Sequence, residues 1–270
     1  MGMNVSRLVS FLLNARRRWV QAISFLAMNS FVLPALKALP CLGMNCYACP
    51  GAIFACPIGT LQHFAVIRQV PLYTLGVLGF FGALVGRLAC GWLCPFGWLQ
   101  ELIYGLQRKV RWPSWPVSDR LGWLRYAILI VLVGLVPLLT LEPWFSKLCP
   151  VGTIEAGIPL VLTNAVLRAQ AGWLFVVKVA ILFGFLLWML SSKRPFCRFA
   201  CPLGAIWSPF NRLSALHLAV DEASCVPCDA CQRVCPVDIN VHEDPNSARC
   251  VRCMECIRAC PQGAIRLTWR

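Results

Sequence analysis

Eight cysteines near the end of the chain have the spacing needed to bind iron–sulfur clusters. They form two runs of the same pattern, C-x2-C-x2-C-x3-C-P, at residues 225–236 and 250–261. In this pattern three closely spaced thiolates bind one cubane cluster and the fourth thiolate binds the other. The pattern predicts cluster site I (Cys225, Cys228, Cys231 and Cys260) and cluster site II (Cys235, Cys250, Cys253 and Cys256). Zinc knuckles are the alternative, but zinc sites usually combine two C-x2-C pairs across a long spacer.

A shorter motif, C-P-x-G, occurs four times upstream of these two runs and is called the Cys-Pro phrase below. The four phrases begin at Cys56, Cys94, Cys149 and Cys201. Proline after the cysteine presets the first turn of a helix, and the glycine allows another group to approach closely. Each phrase therefore predicts a helix start, whose amide groups favour a thiolate or an anionic cluster. Glu101 and Glu155, which follow two of the phrases, are interpreted as solvent-facing or capping residues.

The composition is typical of a membrane protein. Hydrophobic residues make up 59% of the chain and charged residues 13%, whereas a soluble domain has about 25% charged residues. A bilayer core requires roughly 20 apolar residues per helix. Four apolar stretches approach this length, at about Trp19–Leu39, Val70–Leu88, Leu121–Leu141 and Gly172–Leu190. For the first stretch a cleaved signal peptide is the alternative, but no small-x-small cleavage site is evident, and an uncleaved anchor is expected.

The basic residues predict how the chain is oriented in the membrane. Arginine and lysine are concentrated before the first stretch, between the second and third, and after the fourth. Because cytoplasmic loops are the basic ones, both termini and the eight-cysteine segment are expected in the cytoplasm, with the chain in a bacterial or archaeal cytoplasmic (inner) membrane. The net charge of +14 reflects this bias. The sequence shows no basic face on a soluble fold, so nucleic acid is not expected as a partner.

This orientation places two C-x3-C-P motifs on the cytoplasmic side. Their cysteines form the predicted inner site, which consists of Cys90, Cys94, Cys197 and Cys201. The order of helix, outer motif, helix and inner motif occurs twice, which indicates an internal duplication that would bring the two inner motifs together. Four thiolates can bind a cubane cluster or a zinc ion, or act as redox-active dithiols. A third cluster is the interpretation favoured here.

The remaining cysteines fall on the opposite side of the predicted membrane. The outer site consists of Cys46, Cys49, Cys56 and Cys149. A metal site and disulfides, Cys46–Cys49 or Cys56–Cys149, fit an oxidising exterior equally well, and Cys41 is expected to be a buried thiol. Up to ~30 Å of hydrocarbon would separate inner from outer site. Electron transfer between them then requires re-entrant motif loops or a bridging quinone.

A lysine and three tryptophans near these sites have both a structural and a functional interpretation. Lys178 interrupts the fourth apolar stretch, where a lysine is costly unless it is paired or snorkels to the surface. Snorkelling is expected, and contact with a quinone or a cluster is the alternative. Trp92, Trp98 and Trp207 lie near the inner cysteines and are interpreted as interfacial anchors, with packing against a cluster as the alternative.

In these motifs the chain resembles the NapH/NosR-type membrane ferredoxins. The matching residues are GRLACGWLCP at 86–95, RPFCRFACPLGA at 194–205, and the eight cysteines of cluster sites I and II. The resemblance covers the last three apolar stretches and everything after them. It implies a polytopic protein that passes electrons between the quinone pool, or a cytoplasmic donor, and an exported redox partner. Some relatives instead support metal-centre maturation.

Taken together, these patterns predict both the fold and the function. The expected fold is an all-α membrane bundle of four transmembrane helices in two similar pairs, followed by a small α+β two-cluster ferredoxin domain of the bacterial type. The boundary is expected between residues 205 and 206. The expected function is membrane-bound electron transfer to a redox protein partner, with quinone as a further candidate cofactor. The alternative is a metal-centre maturation or metal-reducing assembly factor that uses the same clusters.

Overall fold

The computed structural model describes residues 16–30, 34–110, 112–113 and 117–270, which are mostly helical. As far as Ser191 the helices are α1 Arg17–Met28, α2 Pro57–Val66, α3 Leu72–Val85, α4 Leu88–Trp92, α5 Pro95–Val110, α6 Asp119–Thr140, α7 Trp144–Leu148, α8 Pro150–Thr163, α9 Ala165–Ala169 and α10 Trp173–Ser191. Four short helices follow: α11 Pro202–Trp207, α12 Phe210–Leu213, α13 Ala230–Val234 and α14 Glu255–Ala259. Helices α2, α5, α8 and α11 begin at the proline of a Cys-Pro phrase, which confirms the predicted helix starts.

Among the described residues, two helices are long and apolar enough to cross a membrane. They are α6, with 22 residues, and α10, with 19 residues, and only 17% of the most apolar window of each is buried. Helices α3 and α8 are apolar but shorter. Large apolar side chains such as Phe80, Ile130 and Phe183 lie exposed on these helices. The chain therefore presents apolar helix surface to its surroundings on several elements.

The first apolar stretch differs from the prediction of one long helix. Helix α1 ends at Met28 after 12 residues, and residues 31–33 of the stretch lie outside the described residues. One face of α1 is polar and buried: Gln21 donates to the carbonyl of Gly91 at 2.9 Å and Ser24 to that of Leu93 at 2.8 Å. Hydropathy alone does not reveal this face, because its polar groups bind protein backbone.

The C-terminal segment has the mixed α+β character that was expected. Strand β1 (Leu216–Val220) pairs antiparallel with strand β2 (Ile265–Trp269), so the sheet joins the start and the end of the segment. Between the strands, α13 and α14 end directly before the last cysteine of each run. This arrangement brings the two cysteine runs side by side.

The C-terminal segment packs directly on the helical part of the chain. Gly91 lies so close to Val251 that an added Cβ would overlap the carbonyl oxygen of Val251 and lie 3.3 Å from the amide nitrogen of Cys253. The indole of Trp92 donates to the carbonyl of Arg252 at 3.1 Å. The two motif loops are therefore in main-chain contact, and glycine is the residue that permits it.

Candidate functional site

The eight terminal cysteines surround two separate cavities. A cavity of about 380 Å³ is lined by Cys225, Cys228, Cys231 and Cys260. A second cavity, of about 300 Å³, is lined by Cys235, Cys250, Cys253 and Cys256. The fourth cysteine of each run thus lies with the first three of the other run, which is the grouping that the spacing predicts.

The two cavities differ in their exposure. All four cysteines of cluster site II are buried, whereas Cys228 of site I is exposed. Burial raises the pKa of Cys250 to about 11 and that of Cys253 to about 12, although the amides of Arg252 and Glu255 donate to these sulfurs and lower it. A buried thiol of this kind ionises when it binds a cationic metal centre. Site I is the one open to solvent.

The inner-site cysteines converge from two distant parts of the chain, and each is less than one-tenth exposed. Burial, with Cys197 and Cys90 next, raises the pKa of Cys94 to about 12. Their sulfurs accept several hydrogen bonds: Gln100 donates to Cys197 at 3.0 Å and the amide of Gly204 donates to Cys201 at 3.3 Å. The site is thus a buried group of four sulfurs surrounded by donors.

Two fully buried arginines border the inner site. Arg87 is 1% exposed and Arg194 is 0% exposed. Burial raises the pKa of Cys90, and the charge of Arg87 beside it acts in the opposite direction. The Arg87 guanidinium donates to the carbonyl of Ala248 at 2.9 Å. Arg194 donates to the carbonyl of Cys90 at 3.1 Å. These cations provide positive charge beside four thiolates and link the inner site to the C-terminal segment.

Glu101 pairs with Arg194 and with a third arginine, Arg17, and its interpretation as a solvent-facing or capping residue was wrong. Its carboxylate pairs with Arg17 at 2.7 Å and with Arg194 at 2.8 Å, and Arg17 also pairs with Glu255 at 3.1 Å. Burial would raise the pKa of Glu101, but Arg194 and Arg17 outweigh it and hold the pKa below its usual value. A single sequence does not reveal this network, because its members are separated by up to 238 positions.

The tryptophans near the inner cysteines are not all interfacial anchors. Trp92 is 3% exposed and Trp207 is 0% exposed. The indole of Trp207 donates to the carbonyl of Leu78 at 2.9 Å, and Trp92 contacts Arg252 as described above. Both side chains therefore form part of the core, and the anchor interpretation was wrong for them. Trp98 is half-buried.

Three of the four outer-site cysteines share a cavity of about 670 Å³. Cys46, Cys56 and Cys149 line it, together with Lys178. Cys49 is not among the residues that line this cavity. None of the seventeen cysteines forms a disulfide in the structure. Among the described residues, no three His, Cys, Asp or Glu side chains converge closely enough to hold a single metal ion.

Glu155 contributes to the outer site in a way that the sequence did not indicate. Its carboxylate accepts a hydrogen bond from the amide of Cys46 at 2.6 Å. Burial raises the pKa of Glu155 to about 7, while this amide lowers it. The capping interpretation is correct only in that the carboxylate binds a backbone amide, and that amide belongs to a distant loop.

The residue six positions after each Cys-Pro cysteine reaches across to another motif or helix. Gln62 donates to the hydroxyl of Ser146 at 2.8 Å, close to Cys149, and Gln100 contacts Cys197. Glu155 binds Cys46, and Trp207 binds α3. The sequence signal for this role was the recurrence of a hydrogen-bonding residue at the same place in the repeated phrase.

The loop that carries Cys46 runs inward and touches the inner site. A Cβ added to Gly43 would lie 3.2 Å from the Cα of Cys94, and Cys46 lies three residues further along. Consecutive Cα atoms are 3.8 Å apart, so at most about 11 Å of chain joins Gly43 to Cys46. This loop therefore brings the outer site much closer to the inner site than the expected gap of up to ~30 Å.

Comparison with protein families indicates what the inner and terminal cysteines bind. A family described as "4Fe-4S binding domain" matches residues 70–113 and 172–218, which include all four inner-site cysteines. A second family with the same description matches residues 244–266, which include the second cysteine run. The first cysteine run, at residues 225–236, and the outer-site cysteines lie outside both matches.

Individual relatives cover most of the chain. An uncharacterized protein of Methanocaldococcus jannaschii is 31% identical over 196 residues, covering 70% of this chain and 75% of that protein. The regulatory protein NosR of Pseudomonas aeruginosa is 34% identical over 160 residues, covering 57% of this chain and 21% of NosR. The ferredoxin-type protein NapH of Haemophilus influenzae is 26% identical over 189 residues, covering 67% of this chain and 59% of NapH. No solved structure matches the chain.

Proposed function

Because the chain belongs to the NapH/NosR-type ferredoxin family, we propose that it transfers electrons between a cytoplasmic donor, or the quinone pool, and a redox protein partner. One observation carries this proposal: cluster site II and the inner site are in main-chain contact where Gly91 meets Val251. Two sites in such contact favour electron exchange, because transfer weakens steeply with distance.

The membrane part of the proposal comprises residues 1–205, with spans at three of the four predicted stretches, since the 12-residue helix α1 is too short to cross a bilayer core of roughly 30 Å. Helices α6 and α10 support it by their length and apolar surface, and α3 by its exposed apolar side chains. Residues 206–270 form the ferredoxin domain in the cytoplasm. The arginine cluster around Glu101 lies where α1 and α5 meet this domain, which agrees with the basic side being cytoplasmic.

The donor sets of cluster sites I and II and of the inner site fit [4Fe–4S] clusters. Each set consists of four cysteines, and backbone amides point at several of their sulfurs. A bound cluster supplies a one-electron redox centre whose potential depends on net charge, hydrogen bonds to sulfur and solvent exposure. At the inner site Arg87 and Arg194 supply positive charge, Gln100 supplies a hydrogen bond to sulfur, and burial excludes water.

The solvent exposure of the sites suggests the order in which electrons pass through them. Site I has an exposed cysteine and is the position where a soluble donor or acceptor can approach. Site II is buried and lies between site I and the inner site. The re-entrant loop with Met44 then leads from the inner site toward the outer cavity. The path therefore runs from the cytoplasmic surface into the helical part of the chain.

Reoxidation of the reduced protein in proteoliposomes tests this function. The protein is reduced anaerobically, freed of reductant, and mixed with a membrane-soluble quinone while the visible absorbance of the clusters is followed. We expect the wild type to reoxidise, and Cys197→Ser to do so at least about tenfold slower while cluster sites I and II are retained. Equal rates would contradict transfer through the inner site, and an unreactive wild type would contradict the quinone as acceptor.

The second candidate function is a metal-centre maturation or metal-reducing factor. The thiol-lined outer cavity favours it, because soft thiolates bind transition metals. Cys46→Ser distinguishes the two functions. The second function is supported if this variant no longer matures a partner but still reoxidises with quinone at the wild-type rate. In that case the outer cavity is not needed for electron transfer to quinone.

A further inference from the structure

The outer cavity collects three thiols from separate parts of the chain. Cys46 lies on the re-entrant loop, Cys56 precedes α2 and Cys149 precedes α8. The approach is close: a Cβ added to Gly152, in the phrase that begins at Cys149, would lie 3.3 Å from Sγ of Cys46. All three sulfurs are thus aimed at one space by elements that are far apart in sequence.

Backbone amides are directed at each of these sulfurs. The amide of Gly59 donates to the sulfur of Cys56 at 3.5 Å. Burial raises the pKa of Cys46 and Cys149, and nearby amides, of Ala48 and Cys49 at Cys46 and of Val151 and Gly152 at Cys149, act in the opposite direction. The same pattern occurs at cluster site II, where amides of the following residues donate to Cys250 and Cys253. Amides arranged in this way stabilise thiolates. The outer cavity therefore places backbone donors where they would stabilise thiolates bound to a cationic metal centre.

The spacing of the sulfurs fits a cluster better than a single ion. Within the described part of the chain, the cysteines of cluster sites I and II line cavities of about 380 and 300 Å³ and do not converge on one ion. The three outer cysteines behave in the same way: they line one cavity and do not converge on one ion. This cavity leaves more free space than the cavities of cluster sites I and II.

Lys178 supplies a positive charge to the same cavity. It lies on the apolar helix α10 and is half-buried, and its Nζ would be 3.2 Å from a Cβ added to Gly157. Lys178 makes no hydrogen bond or ion pair with the residues that the structure describes. A lysine within an apolar helix is costly unless it has a counter-charge, and an anionic thiolate cluster would provide one.

From these observations we propose that the outer cavity binds a fourth [4Fe–4S] cluster through only three thiolates, those of Cys46, Cys56 and Cys149. The fourth iron then faces the side of the cavity that contains Lys178, and it is open to a small exogenous ligand. Lys178 acts as the counter-ion of the cluster. Cys49 is not a ligand in this arrangement and contributes only its backbone amide.

This proposal extends the proposed function without depending on it. Electron transfer through cluster sites I and II and the inner site requires about 12 iron atoms per chain, and the outer cluster raises this number to about 16. A protein with about 12 iron atoms that reoxidises with quinone would support the proposed function and overturn the outer cluster. The two claims therefore fail separately.

Iron and acid-labile sulfide counting on the anaerobically purified full chain tests the proposal. We expect about 16 iron atoms per chain in the wild type and about 12 in Cys46→Ser, Cys56→Ser and Cys149→Ser. Cys49→Ser should retain about 16, as should Cys41→Ser, a control at a buried thiol outside the cavity. Loss of only four irons shows that a variant is folded, because the other three clusters remain.

Ligand binding and charge provide two independent readouts. Cyanide, which binds an iron that lacks a cysteine ligand, should change the EPR spectrum of the reduced wild type but not that of Cys46→Ser. Lys178→Met should keep about 16 iron atoms and shift the reduction potential of the outer cluster to more negative values. Loss of four irons in Cys49→Ser, zinc in the wild-type site, or a spectrum that cyanide leaves unchanged would overturn the proposal.

Discussion

The side-chain amide of Gln100 donates a hydrogen bond of 3.0 Å to Sγ of Cys197, which belongs to the other inner motif. The oxygen of the same amide accepts from the backbone of Phe196 at 3.0 Å. Gln100 follows Cys94 by six residues, so a residue of the first half of the repeat donates to a cysteine of the second half. This contact places a neutral donor on one sulfur of the inner site.

Removal of this donor should change the inner site without emptying it. In Gln100→Leu we expect full iron content and a reduction potential that is more negative, because hydrogen bonds to sulfur stabilise the reduced cluster. A potentiometric titration followed by EPR measures the shift. Gln62→Leu is the matched control, since Gln62 occupies the same place in an outer phrase and contacts Ser146 instead. An unchanged potential in Gln100→Leu would show that this hydrogen bond does not act on a cluster.

Gly91→Ala should separate cluster site II from the inner site. The added Cβ would overlap the carbonyl of Val251. Because the overlapping atoms are backbone, neither segment can move aside easily. We expect slower electron transfer between the two sites, measured by rapid-freeze EPR after reduction, and a lower temperature of cluster loss. Gly105→Ala is the control, because a Cβ there meets nothing within 4 Å. Equal behaviour of the two variants would argue against the contact.

Glu101→Gln should destabilise the junction of the helical part and the ferredoxin domain. Glu101 pairs with Arg17 and Arg194, and removal of one partner leaves buried charge uncompensated, which costs about 3 kcal/mol. The midpoint of thermal cluster loss in detergent measures the effect. Glu142→Gln removes an exposed pair with Lys147 at 2.7 Å and should cost less than about 1 kcal/mol. Similar midpoints for both variants would show that the Glu101 network contributes little.

The same carboxylate predicts a pH dependence. Because the pKa of Glu101 is held below its usual value in the folded protein, its stabilising contribution is fully present above the unfolded-state pKa. It is lost as the pH falls through the lower folded-state pKa. Stability of the wild type should therefore decrease on acidification by more than that of Glu101→Gln. Parallel pH curves for the two proteins would contradict this assignment.

The sequence predicted the local features of the molecule more fully than the long-range ones. The cysteine spacing predicted the crossed grouping of Cys235 and Cys260, because the pattern alone determines it. The Cys-Pro phrases predicted four helix starts, because proline acts within one turn. These features depend on neighbours in the chain, which a single sequence displays.

The features that the sequence did not predict depend on contacts between distant residues. The short helix α1 was missed because Gln21 and Ser24 bind backbone carbonyls that are about 70 positions away. The role of Glu101 was missed because its partners Arg17 and Arg194 come from other elements. The sequence indicated a re-entrant course for the loop around Met44 only as one of two ways to connect the inner and outer sites. Hydropathy describes the surface of a segment and not the partner it meets.

The most direct test of the central claim is the iron content and EPR spectrum of Cys197→Ser beside the wild type. The claim is that the four inner-site cysteines hold a cluster next to cluster site II. It predicts that Cys197→Ser loses about four iron and four sulfide per chain and that magnetic broadening of the site II signal disappears. An unchanged iron count with an unchanged spectrum, or zinc bound in place of iron in the wild type, would contradict it.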